Sequence, residues 1–329
     1  MITAIILAGS QAWNEDPFKS LGPRLLLPIA NNALFSHIVG WLKEAGVETV
    51  TICTNEAGGL LQRHFGDGAQ LGIDLYYCED RLPRGPAGCS RDAAAVTYAE
   101  QYVVVEGSII PGSDLLDLLA AHAKSNAAAT VVVNQAQDSH ECFGPHLSPG
   151  GVYVLEQRAL QQVPPTGYQD IKEMLIPKLH RGHELVMACL LERPSFRVDG
   201  LECYLAAQGW VLQRACDGEL SAGGYVRRDE AYIHRSARVA DSARLLGPVM
   251  VGPETRVEDE CVLIGPIVIG SRCAVGRRCV VGRSVMWDRC SVGEQATLDR
   301  CLVTSGADVE VGAAEYGVIR GADLAESPA

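Results

Sequence analysis

From about residue 230 onward an aliphatic side chain returns at every sixth position: Ile233, Val239, Leu245, Val251, Val257, Leu263, Ile269, Val275 and Val281, with Trp287 on the same count. A run of that length at one period is hard to obtain by chance. Glycine often follows it, as at Gly252, Gly270, Gly276 and Gly282, and two residues before it sits a small or β-branched residue such as Ala237, Thr255 or Cys261. In a hexapeptide repeat each six-residue unit forms one face of a triangular coil. The periodic aliphatic points inward, and stacked coils bury a continuous core. Three faces per turn give a parallel β-helix of about four to five coils over 230–312. The phase then slips by one residue, with Val292, Leu298 and Val303 inheriting the inward role, which predicts an irregularity near Met286–Arg289. The pattern fades after about Val311, so 313–329 reads as a tail.

Residues 1–225 follow a different rule. Short β-rich runs (Ile2–Leu7, Thr49–Thr54, Leu75–Cys78, Tyr102–Glu106, Thr130–Asn134, Val152–Leu155) alternate with amphipathic segments, including Ala33–Ala45, Asp114–Lys124 and Glu202–Gln208. Such alternation is the signature of an α/β domain with a mostly parallel sheet.

Charge and cysteine usage narrow the function. Lys plus Arg number 28 against 40 Asp plus Glu, a formal charge of −12 that opposes nucleic-acid binding. Twelve cysteines show no C-x-x-C pair and no zinc spacing, so reduced thiols and a cytoplasmic setting are expected. Five of them (Cys261, Cys273, Cys279, Cys290, Cys301) fall at the small inward position of the repeat and read as apolar fillers. The amino-terminal apolar run lacks a basic flank and is about half the length a signal peptide or membrane span requires, so it reads as a buried strand.

Two stretches of the first region, ILAG (Ile6–Gly9) and GPRLLLPI (Gly22–Ile29), resemble the ends of the L-A-G-G-x-G-T-R-L-x-P and P-K-x-x-x-P signature of sugar-1-phosphate nucleotidyltransferases, the NDP-sugar pyrophosphorylases. Pro17, Pro23 and Pro28 fall where that signature has its prolines, and GRSVMWDRCSVGEQATLDRCLV (Gly282–Val303) resembles the repeat of bacterial members. The resemblance covers nearly the whole chain and is to the long form typified by mannose-1-phosphate guanylyltransferase. It implies a Rossmann-like nucleotidyltransferase domain followed by a left-handed parallel β-helix.

The resemblance also implies site residues, and many differ from the pattern. Leu7, Ala8, Gly9 and Ser10 occupy the nucleotide loop, and RGPAGCSRDA (Arg84–Ala93) resembles the L-G-T-A-G-A segment beside the base, giving Gly85, Ala87 and Gly88 as nucleotide contacts or, equally, a tight strand-to-helix turn. The loop arginine is replaced by Asn14 and the lysine of P-K by Arg24, while Glu15 and Asp16 add charge that opposes a triphosphate. For Mg²⁺, the first family aspartate is Ser108, with Glu106 two residues earlier on the same strand face, and the second is Asp199 in FRVDGLECYLAA (Phe196–Ala207). No E-K-P segment occurs, the N-A-G position reads Pro149-Gly150-Gly151, and of five lysines only Lys19 is expected near the site. His180 and His183 follow a helix end without an acidic partner, and His234 stands alone beside the repeat, so neither suggests a metal site or acyl transfer.

Losses in three separate constellations are hard to reconcile with phosphoryl transfer, which depends on positioning and charge neutralisation. The first expectation is therefore a degenerate homologue acting as a regulatory, sensing or structural subunit. It would bind a nucleotide or nucleotide sugar, form a homo-oligomer or pair with an active paralogue, and use neither nucleic acid nor membrane. The alternative is an active enzyme that uses Mg²⁺ to make an NDP-sugar and pyrophosphate from a nucleoside triphosphate and a sugar 1-phosphate.

Overall fold

The computed structural model describes residues 1–9, 21–55, 58–80, 82–112, 114–135, 147–190, 195–216 and 223–321. They form two compact units, one of 1–9, 23–26 and 34–197, the other of 21–22, 27–33 and 198–321.

The first unit is built on a seven-stranded sheet. From one edge its strands run Val186–Leu190, Ala129–Gln135, Leu147–Glu156, Gln101–Glu106, Ile2–Leu7, Thr49–Thr54 and Asp74–Glu79. All neighbours are parallel except Leu147–Glu156, which runs antiparallel to both of its own. The β-branched and aliphatic runs of Ile2–Leu7 and Gln101–Glu106 are buried on both faces, as a central strand of a mostly parallel sheet requires. The helix Leu34–Glu44 turns Leu34, Phe35, Ile38 and Leu42 to the core, spaced three and four apart. The helix expected after Cys89 begins four residues earlier, at Gly85, with Pro86 in its first turn, where a missing N–H costs nothing.

The second unit is a left-handed parallel β-helix. Its three sheets stack the strands of successive coils, Arg244–Leu246 on Val262–Ile264 on Val280–Gly282 in one of them. The inward aliphatics Val251, Leu263, Ile269, Val275 and Val281 are wholly buried. Cys261, Cys273, Cys279, Cys290 and Cys301 are buried free thiols, and they do more than fill space. Coil corners turn carbonyls inward, and small donors reach them: Cys261 Sγ donates to Gly276 O (2.9 Å), Cys279 Sγ to Gly293 O (3.0 Å) and Thr255 Oγ1 to Gly270 O (2.7 Å).

Three sequence expectations are corrected here. The coil shortens by one residue, and it does so before Met286–Arg289. Ile264 pairs with Gly282 at an offset of 18, whereas Val268 pairs with Val285 at 17, so the lone Arg283 takes the corner that Gly265-Pro266 fills in the coil before. Met286 (1 % exposed) therefore points inward, and Trp287 is only partly buried. The stack also continues past 312, since Ala314–Tyr316 pairs with Thr297–Asp299 and Ile319–Arg320 with Leu302–Val303. Finally, the division between units falls at Arg197 rather than 225. The helix Leu201–Cys216 packs within the second unit, where Tyr204 Oη donates to Pro28 O (2.5 Å) and accepts from Trp287 Nε1 (2.9 Å).

Candidate active site

Four parallel strands of the first unit end at one edge of the sheet, the edge at which open α/β sheets bind ligands. Leu7 to Gly9 leave the first of them. Ala8 N donates to Cys53 O (2.8 Å), and a Cβ on Gly9 would lie 3.1 Å from Asn55 N, so glycine allows the close approach. Beside it lies a cavity of about 90 Å³ lined by Gly9, Asn55, Asp80, Gly85, Cys89 and Tyr168, with Leu7 and Cys53 at its floor. Gly85 has φ +71°, and a Cβ there would sit 2.6 Å from Gln169 O.

The N–H groups of Ala87 and Gly88 donate to Gln169 O (3.0 and 3.4 Å). Arg84 is likewise structural: it holds Asp92 at 2.9 Å and the carbonyls of Gly167 and Pro164 at 3.1 Å each. Of the expected contacts, then, Leu7, Gly9 and Gly85 line the cavity. Ser10 and Asn14, with Glu15, Asp16 and Lys19, lie outside the described residues. Asn55, Asp80 and Tyr168 were missed; Asn55 and Asp80 directly follow Thr54 and Glu79, which end parallel strands, a signal available in the sequence, whereas Tyr168 lies in a loop that carries none.

A second cluster forms where Gln101–Glu106 ends. Glu106 is 8 % exposed, and Ser108 is buried with it. The short strand Phe196–Arg197 pairs antiparallel with Ile109–Ile110, which brings Arg197 alongside. Its guanidinium forms an ion pair with Glu106 Oε2 at 2.6 Å and donates to Ser108 Oγ at 3.3 Å. Lys172 reaches Glu106 Oε1 at 3.3 Å from a π-helical turn, Ile171–Leu175, capped by the Asp170 carboxylate. Tyr153 Oη donates a hydrogen bond to Glu106 Oε1 at 3.2 Å. Burial alone pushes the Glu106 carboxyl up, but Arg197 and then Lys172 outweigh it and hold the group below the usual carboxylate range. Burial, then the charge of Glu106, pushes the Tyr153 phenol up. Lys172, which the sequence did not single out, is thus placed here. No local motif marks it, because its partner lies 66 positions away in sequence.

This donor set does not suit Mg²⁺, which binds through carboxylates and water in near-octahedral geometry. Two cations against one carboxylate leave a net charge of +1, which favours an anion. Asp199 is exposed at the start of Leu201–Cys216. Burial and then Asp199 push the thiol of Cys203 up to about 11. Arg24 is half-buried in the 3₁₀ turn Arg24–Leu26. His183 N donates to His180 O (3.1 Å) in a helix-terminal turn, and His234 Nδ1 pairs with Ser236 Oγ (2.8 Å). Among the described residues no cluster of His, Cys, Asp and Glu has metal-holding geometry, and no helix is long and apolar enough to cross a membrane.

Comparison with known proteins agrees with this architecture. Residues 3–144 match the family model described as Nucleotidyl transferase. A mannose-1-phosphate guanylyltransferase of Mycobacterium tuberculosis is 23 % identical over 272 residues, covering 76 % of this chain and 75 % of its own. A UTP--glucose-1-phosphate uridylyltransferase of Synechocystis is 22 % identical over 303 residues, covering 76 % and 78 %. Among solved structures, HddC from Yersinia pseudotuberculosis complexed with GMP-PN superposes with a TM-score of 0.55 at 13 % identity, covering 64 % of this chain and 100 % of its own. Residues 3–144 therefore carry a nucleotidyl transferase domain, and the chain is similar to sugar-1-phosphate nucleotidyltransferases over about three quarters of its length.

Proposed function

We propose that this chain is a non-catalytic sugar-1-phosphate nucleotidyltransferase homologue that acts as a regulatory, sensing or structural subunit. The observation that carries the reading is the pairing of Glu106 with both Arg197 and Lys172, beside a serine in the first metal position. Phosphoryl transfer needs charge neutralisation at the phosphates, and the carboxylate suited to hold a divalent cation is already matched by the chain's own cations. The cavity at Gly9, Asn55 and Gly85 supports retention of a nucleoside or nucleotide-sugar site. Leu246 and Ile264 are register partners on one β-helix sheet and are 42 % and 41 % exposed, which supports a contact with a second copy or an active paralogue. The protein is then expected to be dimeric or larger in light scattering, and a sharp monomer at micromolar concentration counts against that part of the reading.

Titration with GTP, dTTP, ATP, UTP and GDP-mannose, each with and without Mg²⁺, tests the whole. A ligand at 100 times its Kd stabilises by about 2.7 kcal/mol. Binding indifferent to Mg²⁺, with no pyrophosphate released from triphosphate and sugar 1-phosphate, is the expected result. Mg²⁺-dependent stabilisation accompanied by pyrophosphate release would establish the alternative, an active enzyme making an NDP-sugar.

A further inference from the structure

Three thiols gather in the first unit, Cys53 and Cys89 in the lining of its cavity and Cys78 packed against the same core, and none is needed for the reading above. Cys53 closes the strand Thr49–Thr54, Cys78 lies on the neighbouring strand Asp74–Glu79, and Cys89 faces them from the helix Gly85–Val96. Cys53 and Cys78 are register partners in a parallel pair. Neighbouring strands lie ~4.8 Å apart, inside the ~4.4–6.8 Å window of Cα separations that a disulfide spans. Register partners also project to the same face of the sheet, and the two thiols are hydrogen-bonded to each other.

The three differ in what surrounds them. Cys78 stands on the edge strand of the sheet and is half-buried, so a small oxidant reaches it. Cys53 is buried and its Sγ contacts Cys89 O at 3.5 Å. Cys89 donates its thiol proton to Asp80 Oδ2 at 3.0 Å, and the adjacent carboxylate opposes a thiolate there. The hydrogen bond from Cys53 lowers the Cys78 thiol below its ordinary value and raises that of Cys53, while burial and then Asp80 raise Cys89. Nucleophilicity toward an oxidant follows thiolate character and access, and both single out Cys78.

The geometry points to a reversible disulfide between Cys53 and Cys78, formed by a hydroperoxide through a sulfenic acid on Cys78. The Cys78 thiolate attacks the hydroperoxide, breaking the O–O bond; with one proton, ROOH leaves as ROH and Cys78 becomes Cys–SOH. The Cys53 sulfur then displaces hydroxide from that sulfur, its proton leaves with the hydroxide as water, and the S–S bond forms. A dithiol reductant reverses the step, restoring two thiols as it is itself oxidised. Cys53 floors the cavity that Asn55, Asp80 and Gly85 line, so the modification alters that cavity whatever ligand it takes.

The test is peptide mapping of the full-length protein, reduced, treated with excess hydrogen peroxide and then alkylated. Trypsin places the three cysteines on different peptides, 44–63, 64–81 and 85–91. The expected result is a dominant cross-link between 44–63 and 64–81 that dithiothreitol removes, with 85–91 still alkylated. Cys53→Ser should leave Cys78 as a sulfenic acid trapped by dimedone, and Cys78→Ser should leave Cys53 alkylated. Three outcomes would overturn the assignment: Cys53 fully alkylated in the peroxide-treated wild type, a cross-link to Cys89 instead, or Cys78 untouched. The wild-type map decides the matter even where a variant fails to fold.

Discussion

The Glu106 cluster and the Asp80 cavity sit at the ends of strands in the same sheet, yet they have been resolved in opposite ways. At Glu106 the protein supplies its own cations: Arg197 and Lys172 occupy the carboxylate, and Ser108 accepts from the same guanidinium. At Asp80 the carboxylate is engaged by Arg84 N and the Cys89 thiol, but space remains beside it. The difference teaches that two ends of one sheet can treat a buried carboxylate differently, one closing on it with charge and the other leaving room beside it. The charged side is stabilised by internal ion pairs, and the cavity side keeps its shape through glycines.

The contrast can be broken most directly at Glu106. Glu106→Gln leaves two cations facing a neutral, buried group and should destabilise the protein by roughly 3 kcal/mol, read from urea midpoints. A loss under about 1 kcal/mol, the level of a surface pair, would mean that the cluster is only an exposed contact. At the cavity, Gly85→Ala places a Cβ 2.6 Å from Gln169 O at φ +71°. About 2 kcal/mol should be lost, and nucleoside binding should weaken with it; unchanged stability would show that the cavity wall yields.

A sharper comparison asks whether the charged side can be turned back. Ser108→Asp alone should bring no gain in Mg²⁺ affinity, because Arg197 would pair with the new carboxylate. Ser108→Asp with Arg197→Ala should raise that affinity at least about tenfold in calorimetry, about 1.4 kcal/mol. Equal affinities in the two variants would remove Arg197 as the obstacle. The smallest expected effect is on pH dependence. The folded-state pKa of Glu106 lies below its unfolded value, so its contribution is fully present above the ordinary carboxylate range and is lost as pH falls through the folded value. Stability of the wild type should therefore decline below about pH 4.3 more steeply than that of Glu106→Gln, and parallel curves would refute the pairing.

The β-helix was legible because every coil repeats one demand, an aliphatic inside every six residues. Even so, the shortened coil was placed a few residues late, because Trp287 happens to sit six residues after Val281 while the residue that points inward is Met286. The last strands escaped notice because Ala314–Tyr316 and Ile319–Arg320 are mostly exposed and bring few aliphatics. In the first unit, Gly9 and Gly85 could be read from local motifs. Arg197 and Lys172 could not: they reach Glu106 across 91 and 66 positions, and what places them is a two-residue strand pairing and a capped π turn.

The corner at Arg283 has a mechanical consequence. One residue disappears there, and again at Arg300, yet the inward ladder on either side of each corner continues unbroken. Pairing between coils is re-established at every strand, so a change of length is absorbed where it occurs and is not passed along the stack. Such a corner works as an expansion joint: it tolerates addition or loss of chain while the rigid faces between joints stay aligned. New segments grafted onto this scaffold are best placed at these joints.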